Sequence, residues 1–105
     1  MEETVFEIIS HKGMIPGMAV ISTAGHDTGS IYIIVRVDGR IAYLADGRLR
    51  HVARLKKKRV CHFKLLGQAM LPEQARQLSE LDNERANQIL RESITAFLSD
   101  KASKE

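Results

Sequence analysis

Seven basic side chains lie within twelve consecutive residues in the middle of this chain, and such a cluster is suited to contacts with phosphate groups. They are Arg48, Arg50, Arg54, Lys56, Lys57, Lys58 and Arg59. Phosphate contacts supply most of the affinity of a protein for a nucleic acid, and each one needs an outward-pointing cation or hydrogen-bond donor. We therefore expect these residues to form a cationic surface along one rim of the fold.

A second candidate site is the polar turn Gly25-His26-Asp27-Thr28-Gly29. Its two glycines tolerate positive φ and would let backbone N–H groups come close to a phosphate or a ribose. The imidazoles of His26 and His62 could stack on bases or form hydrogen bonds with them. We expect the whole turn and His62 to belong to the same binding surface as the basic cluster.

Metal chemistry is disfavoured by the spacing of the possible ligands. The candidates lack the paired Cys-x-x-Cys or His-x-x-x-His spacing of a structural zinc site; they are His11, His26, His51, Cys61 and His62. We expect no metal and no other cofactor.

Catalysis is disfavoured on similar grounds. Ser22, His26 and Asp27 are the residue types of a hydrolytic triad, but no nucleophile elbow surrounds the serine. The alternation around Cys61 places this thiol on the core face of a strand, where it would be inert. The Gly25-x-x-x-Gly29 spacing lacks the Lys-Ser/Thr pair of a phosphate-binding loop. We predict that the protein is not an enzyme.

Charge is distributed unevenly along the 105 residues, whose formal net charge is +3. Residues 11–67 carry +8, whereas residues 1–10 carry −3 and residues 68–105 carry −2. Concentration of basic charge on one small module is typical of a polyanion binder, although an ordinary solvated basic face is the alternative. The single cysteine excludes an intramolecular disulfide and fits a reducing compartment. With no leader segment and no apolar run long enough to cross a bilayer, the sequence predicts a cytoplasmic protein without membrane contact.

The composition of the chain changes near Gly67, and the predicted secondary structure changes there from strands to helices. Before it, β-branched residues and glycine-containing turns predict short strands over 17–23, 30–37, 40–45 and 60–66, with a hairpin at Asp38-Gly39. In the second strand, Ile31, Ile33, Val35 and Val37 are expected to share one apolar face. Short antiparallel strands at this spacing favour a small barrel.

After Gly67 the sequence predicts helices. Pro72 is a suitable first helical residue. Apolar residues at helical spacing follow it, and this spacing is interrupted at Asp82-Asn83. Asp82 could cap a second helix, so both a helix pair and one kinked helix fit the pattern. The chain is expected to fray from Ser99. The stripe could pack on the barrel, pair with a second copy, or bind another protein.

An ordered set of motifs lies between residue 17 and about residue 66: Gly17-x-x-Val20-x-Ser22-x-x-Gly25-His26-Asp27-x-Gly29, Ile34-Val35-x-Val37, Leu44-x-Asp46-Gly47, Lys56-Lys57-Lys58-Arg59 and His62. This stretch resembles the KOW-domain RNA-binding proteins. The similarity is greatest to the eukaryotic and archaeal large-subunit ribosomal proteins of that group and to their bacterial relatives. Members of this family often have a lysine before the second glycine of the turn. Thr28 stands there in this chain, which makes the turn less cationic.

The resemblance implies a mainly β fold with an α-helical tail: a small five-stranded SH3-like β-barrel followed by a C-terminal helix or helix pair. We divide the chain into an N-terminal segment (1–15), the barrel (16–67) and the helical tail (68–105). The expected function is non-catalytic binding of structured RNA, ribosomal RNA above all, by a ribosome-associated factor.

Two alternatives stay open. One is a protein-interaction module that uses the barrel and the amphipathic helix, with a protein partner or a second copy bound through residues 71–98. The other is a transcription-linked KOW module that binds RNA or polymerase.

Overall fold

The computed structural model describes residues 14–103, so most of the N-terminal segment predicted over residues 1–15 lies outside it. The described chain forms five strands followed by two helices. The strands are β1 (Met18–Ser22), β2 (Ile31–Asp38), β3 (Ile41–Ala45), β4 (Lys56–Arg59) and β5 (Phe63–Gln68), and the helices are α1 (Pro72–Gln77) and α2 (Asn83–Ser103). Short 3-10 turns lie at Val52–Arg54, Val60–His62 and Leu78–Glu80.

The strands form one antiparallel sheet in the order β4-β3-β2-β1-β5. The predicted mainly β fold with a helical tail is therefore confirmed. Within the described residues β4 and β5 form the two edges and do not pair with each other, so backbone hydrogen bonds do not close the sheet into a complete barrel. The Asp38-Gly39 hairpin is present between β2 and β3, with Gly39 at a φ of +62°.

Both faces of the sheet are buried at its centre. One face carries the inner cluster: Met14, Val20, Tyr32, Ile34, Ala42, Leu44 and Phe63. The other face packs under the helices and carries the helix-side cluster: Ile33, Ala45, Met70, Ala75, Leu78, Ala86 and Leu90. Strand β2 contributes to both, because successive residues of a strand point to opposite faces.

The prediction that Val37 shares a face with Ile33 and Val35 is wrong. The register of β2 against β3 shifts between Ile34 and Arg36, which marks a bulge. An extra residue in one strand turns the following side chains to the other face. Val37 therefore packs on the inner cluster with Ile34, while Val35 stays on the helix side.

The prediction that Cys61 is a buried core thiol is also wrong. Cys61 lies in the 3-10 turn between β4 and β5 and is exposed. Strand β5 begins only at Phe63, which is 6% exposed, whereas Leu65 is 36% exposed. The predicted start of this strand, Val60, is therefore three residues before the observed start at Phe63.

The helical tail packs on its own sheet. Both α1 and α2 contact β2, and Ala75, Leu78, Ala86 and Leu90 are at most 1% exposed. Helix α1 begins at Pro72 as predicted. The carboxylate of Asp82 accepts the backbone N–H of Arg85 at 2.8 Å, which confirms the predicted cap of the second helix. The expected fraying from Ser99 is not observed, since α2 continues to Ser103.

Candidate nucleic-acid interface

A partly buried carboxylate, Asp27, joins the polar turn to the basic strand β4. One carboxylate oxygen, Oδ1, accepts a hydrogen bond from Ser22 Oγ at 2.8 Å and forms an ion pair with Lys58 Nζ at 3.0 Å. The other oxygen, Oδ2, accepts from the Tyr32 hydroxyl at 2.8 Å and lies 3.5 Å from Lys56 Nζ. Lys58 also donates to the carbonyl of Ala24 at 3.0 Å. These contacts link the turn between β1 and β2 to the edge of the sheet.

The network shifts the pKa values of its two acidic members in opposite directions. Burial raises the pKa of Asp27, but the hydrogen bonds from Lys58, Tyr32 and Ser22 and the charge of Lys56 outweigh burial and hold this pKa well below its usual value. For Tyr32, burial together with the hydrogen bond to the Asp27 carboxylate raises the pKa to about 12. Asp27 is therefore a permanent anion at neutral pH, and Tyr32 a permanent donor to it.

This network divides the basic run of β4 into two pairs. Lys56 and Lys58 lie opposite Leu44 and Ala42, whose side chains belong to the inner cluster. Directly opposed residues of an antiparallel pair share a face, so both lysines point inward. The side chain of Lys58 is only 9% exposed. Their charge neutralises Asp27, and we therefore expect them to contribute less to phosphate binding than the other basic residues of the strand.

Lys57 and Arg59 point to the opposite face and are exposed. Lys57 lies opposite Tyr43, and Tyr43 in turn lies opposite Arg36 on β2. The Arg36 guanidinium stacks over the Tyr43 ring, 4.1 Å from its centre. We call Arg36, Tyr43, Lys57 and Arg59 the outer cationic row. Within residues 14–102 no carboxylate forms an ion pair with the three cations of this row.

Arg36 and Tyr43 were absent from the residues predicted for binding. The ring of Tyr43 packs across strands against the guanidinium of Arg36. Arg36 can be placed on this face only from the register of β2 against β3, because the bulge after Ile34 brings Arg36 opposite Tyr43. A regular alternation would instead have placed Arg36 on the inner face, with Ile34.

The remaining predicted arginines lie on the loop between β3 and β4, which is held in a fixed conformation. Asp46 Oδ1 accepts the backbone N–H groups of Arg48 at 2.9 Å and Arg50 at 2.8 Å. The carbonyl of Arg50 accepts the N–H groups of Asp46 and Gly47 in return, at 3.0 and 3.1 Å. The Arg48 side chain is exposed and that of Arg50 is partly exposed. Asp46, included in the family resemblance, thus shapes the loop that presents these cations.

Helix α2 fixes the same loop from the other side. Arg91 Nη1 donates to the carbonyl of Gly47 at 2.6 Å, and Asn87 Oδ1 accepts the N–H of Val52 at 2.8 Å. The two helix residues are one turn apart, so they contact successive parts of the loop. Beside the loop lies a pocket of about 440 Å³ lined by Leu49, Arg50, His51, Ala53 and Arg54.

The polar turn of residues 25–29 is exposed except for Asp27. Part of its backbone is paired: the N–H of Gly29 donates to the Ser22 carbonyl at 2.8 Å, and the N–H and Oγ1 of Thr28 both donate to the Gly25 carbonyl, at 3.3 and 2.7 Å. Gly25 and Gly29 have φ values of +91° and +93°. The predicted positive φ is therefore present, but the N–H of Gly29 is already used. His26 and His62 are both exposed.

The structure also bears on the residues that were considered for catalysis and for metal binding. Ser22 is 2% exposed and bonds directly to Asp27, with no histidine between them. In the described part of the chain no group of three or more His, Cys, Asp or Glu side chains could hold a metal ion. Among the same residues, no helix is long and apolar enough to span a bilayer.

No protein-family model matches the chain, and no curated protein is significantly similar to it in sequence.

Proposed function

We propose that this protein is a non-catalytic, cytoplasmic RNA-binding protein that binds structured ribosomal RNA as a ribosome-associated factor. The observation that carries the proposal is the outer cationic row. Arg36 on β2 and Lys57 and Arg59 on β4 are exposed on the same side of the sheet, with Tyr43 of β3 between them, and no carboxylate among the described residues forms an ion pair with these three cations. Cations left unpaired in this way are free to exchange their counterions for phosphates, which is the main source of affinity for nucleic acids.

Folded RNA suits this surface better than an extended single strand. Proteins that bind single strands stack successive bases on several exposed rings. Here Tyr32 is buried, Phe63 is 6% exposed, and Tyr43 is covered by Arg36. A cluster of exposed cations with few exposed rings instead favours recognition through backbone phosphates and shape.

Binding of a protein partner through residues 71–98 receives less support. That alternative depended on an apolar helical stripe with no assigned partner. The stripe is covered by the sheet of the same chain, since Ala75, Leu78, Ala86 and Leu90 are buried. Leu71, Leu81 and Leu98 remain exposed in the tail.

The test is sedimentation of the tagged full chain through sucrose gradients from gently lysed cells, at low and at high salt. Crosslinked RNA is then sequenced from the fractions that contain the protein. We expect comigration with a ribosomal particle at low salt, release at high salt, and crosslinks confined to a limited region of ribosomal RNA. Migration as a free small protein with no enriched RNA would contradict the proposal.

A charge-reversal pair makes the test specific to the surface. Lys57→Glu combined with Arg36→Glu places two negative charges in the outer cationic row, and we expect at least a tenfold loss of RNA affinity. Arg76→Glu combined with Arg85→Glu is the matched control, because it changes the net charge by the same amount at two exposed arginines of the helical tail. Equal loss in both variants would show that net charge alone matters.

A further inference from the structure

We propose that the pocket beside the β3–β4 loop binds a single nucleotide that is extruded from an RNA helix, for example at a bulge. This inference rests on the proposed RNA-binding function and deepens it, because it assigns a site to one unpaired nucleotide. The pocket has a volume of about 440 Å³ and is lined by Leu49, Arg50, His51, Ala53 and Arg54. That volume is within the usual range for small-molecule sites.

The loop that forms the pocket is preorganised. Asp46 accepts the N–H groups of Arg48 and Arg50, and Asn87 and Arg91 of helix α2 bind the loop on either side of them. At the tip of this fixed loop the side chain of Leu49 is 87% exposed, the most exposed of the large hydrophobic residues in the described chain. An exposed apolar group gains free energy when it is covered, and the hydrogen-bonded backbone of the loop reduces the conformational entropy that is lost when a ligand binds there.

The chemistry of the lining matches a nucleotide. Leu49 and Ala53 offer an apolar surface for the face of a base. Arg50 and Arg54 offer guanidinium groups, which can stack on a base or bind a phosphate through paired N–H donors. None of the five lining residues carries a carboxylate that would repel a phosphate.

The short distance along the chain from the pocket to the outer cationic row favours an RNA ligand over an acidic peptide. Arg54 is three residues from Lys57 of that row, a separation of at most about 10 Å of extended chain. A ligand with a repeating phosphate backbone could therefore occupy the pocket and the row together. A nucleotide of an RNA helix must leave the stack to enter a pocket, and the cost is lowest for an unpaired nucleotide because no base pair must be broken.

The experiment uses the full chain and two RNA hairpins that differ only by one bulged nucleotide, a fluorescent 2-aminopurine. We expect the bulged hairpin to bind about tenfold more tightly than the fully paired one, with a fluorescence change as the base enters the pocket. Leu49→Ala should reduce the affinity for the bulged hairpin to that for the paired hairpin. The matched control is Leu71→Ala, an exposed leucine (62%) outside the pocket, which should change neither affinity.

The outcomes separate this inference from the proposed function. If the wild-type protein binds both hairpins equally, or if Leu49→Ala keeps the preference, the pocket inference is wrong while RNA binding stands. If neither hairpin binds at low salt, both proposals are overturned. Free AMP and a peptide of repeating Glu-Leu are included as competitors. Displacement of the bulged hairpin by either one at an equal concentration would reassign the pocket to that ligand and overturn the inference.

Discussion

The backbone N–H of Val52 donates to the side-chain oxygen of Asn87, 35 positions away in sequence, at 2.8 Å. The bond joins the end of the β3–β4 loop to the first turns of the long helix. Asn87 is only 7% exposed, so its amide is shielded from water and the bond is not easily replaced. The helical tail thus fixes the position of a loop that carries three of the predicted binding arginines.

Asn87→Ala should therefore loosen the loop. The N–H of Val52 loses its partner, and we expect the free energy of unfolding to fall by about 1–2 kcal/mol. Urea unfolding measures this loss, and faster hydrogen exchange at the Val52 amide would locate it. The control is Gln88→Ala, an exposed neighbour on the same helix, which should change the stability by less than about 0.5 kcal/mol.

Gly47→Ala should destabilise the protein far more than the same change at Gly39. Both glycines have positive φ, +77° and +62°, but a Cβ at Gly47 would meet the carbonyl oxygen of Asn87, while a Cβ at Gly39 would meet nothing within 4 Å. We expect a loss of about 1 kcal/mol at Gly39 from backbone strain alone, and about 3–4 kcal/mol at Gly47, where the loop must also move away from the helix. Equal losses in urea unfolding would contradict the close packing of loop and helix.

Loss of the Asp27 charge should destabilise the protein at neutral pH. Asp27→Asn keeps the size of the side chain but leaves Lys58, whose side chain is 9% exposed, without its anion. We expect the free energy of unfolding to fall by about 2–3 kcal/mol. Because the pKa of Asp27 is lower in the folded protein than in the unfolded chain, the unfolded chain takes up this proton first as the pH falls. The wild-type protein should therefore lose this stabilisation below about pH 4, and Asp27→Asn should show a smaller acid loss.

Tyr32 gives the opposite pH dependence. Its pKa is raised to about 12 from an ordinary value of 10.0, so the unfolded chain loses the phenolic proton at lower pH than the folded protein does. The stabilisation from this group is complete below about pH 10 and is lost as the pH rises towards 12. A difference of about 2 pKa units corresponds to about 3 kcal/mol. Tyr32→Phe removes the titrating group, and its unfolding free energy should fall less steeply between these pH values than that of the wild type.

Adjacent lysines of β4 should have different roles. Lys57→Ala removes an outward cation and should lower the slope of log affinity for RNA against log salt by about 1, with little change in stability. Lys58→Ala removes the ion pair with Asp27 and should instead lower the midpoint of urea unfolding. If both substitutions changed the salt slope equally and neither changed stability, the assignment of the two residues to opposite faces would be wrong.

Much of the fold follows from local sequence signals. The Asp38-Gly39 pair predicts the hairpin, Pro72 the start of a helix, and Asp82 the cap of the next one, because each residue acts through its own backbone or its nearest neighbours. All three features are present in the structure. The apolar helical stripe also predicts a buried face, although its covering surface could be identified only from the fold.

The features that sequence analysis missed depend on contacts between distant segments. The bulge in β2 moves Val37 and Arg36 to faces that regular alternation does not give them. The inward direction of Lys58 depends on the carboxylate of Asp27, 31 positions away in sequence. The run of basic residues alone does not distinguish Lys58 from Lys57. The exposure of Cys61 depends on a 3-10 turn in place of a strand, and period-two alternation predicted the strand there.

The position of the basic run on an edge strand has a consequence for colloidal stability. One side of β4 has no neighbouring strand among the described residues, so its backbone could serve as a template for a strand from another molecule. Proteins commonly prevent such edge-to-edge aggregation by placing charges, lysine especially, on the exposed edge. Lys57 and Arg59 would thus oppose edge-to-edge association in addition to their role in the proposed RNA binding. Neutral substitutions at both positions would then expose the edge and promote self-association, whereas glutamate substitutions would impair RNA binding and still keep the molecules apart.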